Sequence, residues 1–249
     1  MSARARTTLT AALLLAVIAG VVLGIRWLTR ADTMDGTAPL GDSAVILIPG
    51  YGGGSQSLAG LADELRASGR SAVIVDLGDQ HGDIRGYGTD VSRLAAQLVA
   101  DGAPGVDLVG YSEGGLIARA ALEADPRLVR RIATVASPHA GTALAGLGAM
   151  LADSAACPAA CQQMAPDSEF LGSLRMPGDA TRWLSAYSAT DDVIRPPDSS
   201  LLDGATNVEV TGACATGPLD HGGIIRSSQV WSLVSEFLDS GTVAAGCTP

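Results

Sequence analysis

One six-residue stretch constrains this chain more than any other: Gly110-Tyr111-Ser112-Glu113-Gly114-Gly115. It follows directly on the apolar run Val106–Val109 and runs directly into a helical pattern, Gly114 to Ala124. A G-x-S-x-G sequence in a strand–turn–helix setting demands a very sharp bend, with the serine in a strained conformation at its tip. Strand and helix then approach so closely that the residues two before and two after the serine must lack a Cβ. Gly110 and Gly114 meet that demand. The competing reading, an ordinary glycine-rich turn with an incidental serine, does not call on that context.

The rest of the chain supplies a setting for such a bend. Ala44–Ile48 is an uninterrupted apolar run ending in Pro49-Gly50, as expected of a strand buried on both faces. Ser55–Ser68 carries Leu58, Leu61, Ala62 and Leu65 at helical spacing, and Ala72–Leu77 reads as a second buried strand. Thr89 can cap a helix whose Val91, Leu94, Ala95 and Leu98 share one face. Ile132–Ala136, Trp183–Ala189 and the short Val208–Thr211 read as further strands, and Ile224–Leu238 as a closing helix. Strands alternating with helices predict an α/β fold: a central, mostly parallel sheet of about six strands with helices on both faces. Function in such sheets concentrates at the carboxyl ends of the strands. Residues 141–178 break the rhythm and read as an insertion over that end, in the manner of a lid.

The first thirty residues stand apart. Arg4 and Arg6 precede an uncharged run from Thr7 to Ile25, and Arg26 and Arg30 follow it. A cationic start and an apolar stretch predict an export signal or an N-terminal membrane anchor. The run approaches the ~20 residues that span a bilayer, and no clear small-x-small cleavage site follows, which favours the anchor. Residues 31–42 then form a linker and 43–249 the folded domain, outside the cytoplasm. The four cysteines agree with export: Cys157 pairs naturally with Cys161, and Cys214 with Cys247. A zinc site competes for them, but Cys-x3-Cys has no matching histidine or second cysteine pair nearby.

Composition excludes several chemistries. The formal net charge is −10, against nucleic acid as a partner. All sixteen basic residues are arginine. Without lysine there can be no Walker-type phosphate loop, pyridoxal Schiff base or Ser–Lys dyad. No cofactor and no metal is expected.

A serine hydroxyl needs a base, and the chain has three histidines. His81 precedes the serine, and His139 directly follows the fourth strand. Only His221, in Leu219-Asp220-His221-Gly222-Gly223, leaves room for a strand and an acid between itself and the serine, in the order Ser, acid, His. The acid should follow the fifth strand, where Asp191 and Asp192 are adjacent. Asp191, with Val193 and Ile194 after it to pack down, fits better. Oxyanion donors are expected from the main chain of Glu113 and from the loop Pro49–Gly54, at Tyr51.

These motifs, taken in order with Ser137-Pro138-His139-Ala140-Gly141-Thr142 and the Ser188-Ala189-Thr190-Asp191 segment, resemble the bacterial triacylglycerol lipases and the fungal lipase B type. The resemblance implies an α/β-hydrolase whose Ser112, Asp191 and His221 form a triad, with Tyr51 and Glu113 lining the oxyanion hole. It implies action on ester or lipid substrates, with His139 structural; the chain is expected to be a monomer. The Cys214–Cys247 pairing also looks like that group. Position 113 departs from its usual Gln, Met or Ala, and a carboxylate there would oppose a developing oxyanion. Two alternatives accompany ester hydrolysis: an acyltransferase using the same acyl-enzyme, and a catalytically silent, membrane-tethered binding protein.

Overall fold

The computed structural model describes residues 44–146, 157–178, 182–213 and 217–243. The expected export segment, linker and Cys214–Cys247 pair lie outside the described residues. Within them, six strands form one sheet: β1 (Ala44–Ile48), β2 (Ala72–Ile74), β3 (Val106–Tyr111), β4 (Val129–Val135), β5 (Arg182–Tyr187) and β6 (Thr206–Glu209). The order is β2-β1-β3-β4-β5-β6, and every neighbouring pair is parallel.

Alternation along each strand divides the core into two layers. Ile46, Ile48, Leu108 and Ile132 face one side, packed by helices α2 (Ile84–Ala100) and α3 (Glu113–Ala124). Val45, Leu47, Val109, Ala133 and Leu184 face the other, packed by α1 (Ala59–Ala67), α7 (His221–Arg226) and α8 (Ser228–Ser240). A strand with both faces covered must be apolar at every position, which is why β1 reads as an unbroken run. The short helices α4 (Ala159–Gln163), α5 (Glu169–Ser173) and α6 (Val210–Ala213) precede α7.

Several boundaries differ from the sequence expectation. Helix α2 starts at Ile84, not after Thr89. Asp83 caps it, its carboxylate accepting from the Arg85 N–H at 3.1 Å, while Thr89 donates to Arg85 O inside the helix. Gly88, inside the helix, serves packing: a Cβ there would press 2.6 Å from the Ala120 Cβ of α3. Strand β2 ends at Ile74 and β5 at Tyr187, short of Leu77 and Ala189. Strand β6 covers Thr206–Glu209, because Val210 opens a helix. The single closing helix is two. Ser227 is extended (φ −75°, ψ 122°) between α7 and α8, and the Trp231 indole donates to Ile225 O at 2.7 Å, satisfying the end of α7.

The described part of the 141–178 insertion is tied to the body. Thr142 Oγ1 donates to Val193 O at 2.8 Å, and Gln163 accepts from Ile84 N–H at 2.8 Å while donating to Asp83 at 2.6 Å. Cys157 and Cys161 form the expected disulfide. Arg119, 2% exposed, reaches from α3 to the carbonyls of His139, Leu174 and Arg175.

Candidate active site

Ser112 stands at the carboxyl end of β3 with φ 55° and ψ −124°, a backbone region that a side chain rarely adopts. The surroundings hold it there. Its N–H donates to Val135 O at 2.9 Å and its carbonyl accepts from Gly115 N–H at 3.1 Å. A Cβ on Gly110 would collide with the Gly114 main chain, and one on Gly114 with the carbonyl oxygen of Ile48. The reading that both positions must be glycine is thus a matter of contact distance. Gly50 is constrained for the same reason, its own Cβ position lying 2.9 Å from Ser112 Cβ.

His221 approaches from the first turn of α7. Its Nε2 lies 3.0 Å from Ser112 Oγ and its Nδ1 lies 2.8 Å from Asp191 Oδ2. Asp191 is 2% exposed, and its other oxygen accepts the N–H groups of Val193 and Ile194, each at 2.8 Å. A carboxylate so held presents one lone-pair edge to the imidazole and has no freedom to turn away. Of the two adjacent aspartates only Asp191 faces the ring: Asp192 is turned instead to the His221 main chain, accepting its N–H at 3.0 Å. Donation from that N–H lowers the Asp192 pKa. Of the two aliphatic residues expected to pack down, Ile194 is buried and Val193 is exposed.

Further residues in the region carried no assignment from sequence. Tyr111 donates its hydroxyl to His221 O at 3.0 Å. Ser188 and Thr190 both donate to Leu219 O, at 2.5 and 3.0 Å. Gln80, fully buried, donates to Pro49 O at 2.9 Å and so supports the loop after β1. The hydroxyls of Ser188-Ala189-Thr190 were visible as a motif, but their partners lie about thirty residues away, out of reach of local pattern.

Of the two expected oxyanion donors, Glu113 follows the serine in the chain and Tyr51 follows Gly50, whose Cβ position lies 2.9 Å from Ser112 Cβ. Glu113 is the first residue of α3, where leading N–H groups have no intrahelical acceptor. Tyr51 belongs to a tight turn closed by Gly53 N–H donating to Gly50 O at 3.0 Å. Its ring is partly exposed and lies 4.5 Å from the His81 ring. The Glu113 side chain is fully buried, with neither oxygen hydrogen-bonded, and burial pushes its pKa up to about 8. It is therefore an uncharged acid at neutral pH, which removes the expected conflict with an oxyanion. His139 is buried with its Nε2 3.0 Å from Thr134 Oγ1, and burial, helped by Arg119, drives its pKa down to about 3. It sits in the turn after β4, apart from the Ser112–His221–Asp191 line. No group of metal-binding side chains occurs among the described residues.

Known proteins resemble this chain in sequence and in fold. A family model described as palmitoyl protein thioesterase matches residues 44–174. Triacylglycerol lipases from Pseudarthrobacter phenanthrenivorans and Burkholderia plantarii are each 32% identical over 89 residues, 34% of this chain. The match spans only 28% and 25% of those relatives, about a quarter of their length. Aspergillus fumigatus lipase B superposes with a TM-score of 0.69 at 22% identity, covering 84% of this chain and 55% of that one. Bacillus licheniformis lipase BlEst2 in its mature form gives 0.66 at 20% identity, covering 79% and 92%. These likenesses establish the α/β-hydrolase fold that the motif resemblance implied.

Proposed function

The chain belongs to the palmitoyl protein thioesterase family, and from that premise we propose that it is a serine hydrolase of acyl esters, with Ser112 as nucleophile, His221 as base and Asp191 as the acid that orients the base. The single observation that carries this reading is the unbroken line from Ser112 Oγ to His221 Nε2 at 3.0 Å and from His221 Nδ1 to Asp191 Oδ2 at 2.8 Å. His221 takes the hydroxyl proton as Ser112 Oγ attacks the ester carbonyl, and Asp191 stabilises the imidazolium that forms. The main-chain N–H groups of Glu113 and Tyr51 donate to the oxyanion. Collapse of the tetrahedral species expels the alcohol or thiol, which receives the proton from His221, and leaves the acyl group on Ser112. Water, deprotonated by His221, then releases the acid.

The triacylglycerol lipase relatives and the palmitoyl protein thioesterase family support lipid acyl esters, and acyl thioesters by the same acyl-enzyme, as the substrate class. Glu113 does not favour a catalytically silent protein, because burial raises its pKa and favours the uncharged acid. We place the activity outside the cytoplasm. The cationic and apolar start of the chain and the Cys157–Cys161 disulfide both support that location. The experiment is turnover of p-nitrophenyl esters of graded chain length and of a palmitoyl thioester, with phenylmethylsulfonyl fluoride and Ser112→Ala as controls. Hydrolysis that disappears in both controls is expected; no turnover of any of these substrates would overturn the proposal.

A further inference from the structure

The base His221 is carried by a loop and the first turn of a six-residue helix, not by a strand of the sheet. Its ring must still hold two hydrogen bonds at once, to Ser112 and to Asp191. The main chain of His221 is gripped at both ends by side chains from other elements. At its amino side, the N–H donates to the carboxylate of Asp192 at 3.0 Å. At its carboxyl side, the C=O accepts from the Tyr111 hydroxyl at 3.0 Å. Tyr111 comes from the end of β3, one residue before Ser112, and Asp192 from the loop after β5, one residue beyond Asp191. Each end of the His221 peptide is therefore tied to the immediate chain neighbour of a residue that its ring contacts.

We propose that Tyr111 and Asp192 are positioning residues that fix the His221 main chain, and through it the imidazole, between Ser112 and Asp191; this rests on the triad reading given above. The physical need is registration. A rotation of the His221 main chain would swing the ring tip, and misplacement by about 1 Å of a group that transfers a proton costs on the order of a hundredfold in rate. Tyr111 suits the task because it is 9% exposed and its ring lies 5.1 Å from the His221 ring, so contact and hydroxyl act on the same residue. Burial, with Asp191 nearby, pushes its pKa up to about 12, which keeps the hydroxyl a donor at ordinary pH. Asp192 suits the task because His221 opens a helix, and its N–H would otherwise have no intrahelical acceptor. The Leu219 peptide is held by the same loop: its carbonyl accepts from Ser188 and Thr190, and its N–H donates to Thr190 Oγ1 at 3.0 Å.

The test uses the full chain with a short-chain p-nitrophenyl ester and the variants Tyr111→Phe, Asp192→Ala, Asp192→Asn and Ser112→Ala. Tyr111→Phe keeps the ring contact and loses only the donor; Asp192→Asn keeps an acceptor oxygen and loses only the charge. The expected result is a fall in kcat of about tenfold in Tyr111→Phe and in Asp192→Ala, with KM within about twofold of wild type. Asp192→Asn recovers most of the loss, and thermal midpoints stay within a few degrees of wild type. Wild-type kcat in Tyr111→Phe and Asp192→Ala would overturn the grip and leave the triad standing. So would an Asp192→Asn as slow as Asp192→Ala, since charge and not the hydrogen bond would then carry the effect. A wild-type protein without turnover, or turnover that survives Ser112→Ala, would overturn the triad reading itself and the grip with it.

Discussion

Replacing Glu113 by Gln isolates the energetic consequence of a carboxyl buried without a partner. In the folded protein this group has a pKa of about 8, against 4.5 for a free side chain, and burial is the cause. Between those two pH values the folded state holds a proton that the unfolded state has released. Stability therefore falls as pH rises from about 4.5 to about 8, and levels off above that range. At about 1.4 kcal/mol per pH unit, the gap comes to on the order of 5 kcal/mol. Solvent screening does not reduce it much, because the side chain is fully buried. Glutamine has nearly the same shape and does not ionise. Wild type and Glu113→Gln should therefore have similar thermal midpoints near pH 4.5 and diverge steadily, the variant being the more stable by about 10 °C or more at pH 8. The assay is differential scanning calorimetry of both proteins from pH 4.5 to 9, read as a difference so that other titrating groups cancel. Parallel curves across that range would refute the assignment of a neutral, buried acid.

Three further sets of substitutions test separate parts of the structure. Asp191→Asn should lower kcat on p-nitrophenyl esters by about three orders of magnitude by leaving His221 without its orienting carboxylate; an equal loss in Asp192→Asn would contradict the assignment of the acid. Gly114→Ala should lose 3 kcal/mol or more, or fail to accumulate, because its Cβ meets the Ile48 carbonyl, whereas Gly54→Ala has open space and should stay within about 1 kcal/mol in urea titration. The double substitution Cys157→Ser with Cys161→Ser should cost about 2 kcal/mol, as expected for so short a closed loop, and an unchanged urea midpoint would show that the bridge does not constrain the unfolded chain.

The parts of this fold that were legible in the sequence are those dictated locally. An unbroken apolar run such as Ala44–Ile48 has one sensible environment, and the glycines at 110 and 114 announce a backbone collision before any coordinates exist. The order serine, acid, histidine then narrowed three histidines to His221, and the structure brings it against Ser112. What escaped was set by contacts that local pattern does not encode. Thr89 has the chemistry of a cap, but Asp83 does the capping, and Gly88 lies inside the helix where it permits the close approach of α3. Trp231 splits the closing helix by satisfying Ile225 O, an interaction that helical periodicity does not encode. Glu113 is the sharpest case: its charge in sequence suggested repulsion of an oxyanion, while burial, a property of the whole fold, makes it neutral.

The two ends of the hydrogen-bonded line are held by different means. Ser112 is fixed by main chain on every side: the Val135 carbonyl, the turn to Gly115, and glycines at 50, 110 and 114 that admit no other shape. A non-glycine residue at positive φ costs on the order of 1–3 kcal/mol, and only surroundings that leave no alternative keep it there. His221 has no such cage. Its position depends on side-chain hydrogen bonds from Asp191, Asp192 and Tyr111. Each of these is worth about 1 kcal/mol net, and somewhat more where a charge takes part. Substitutions around the serine should therefore act on folding, whereas polar substitutions around the histidine should act on turnover with little loss of stability. The site divides, on this argument, into a rigid nucleophile built by backbone sterics and a base whose precision is held by a few polar side chains.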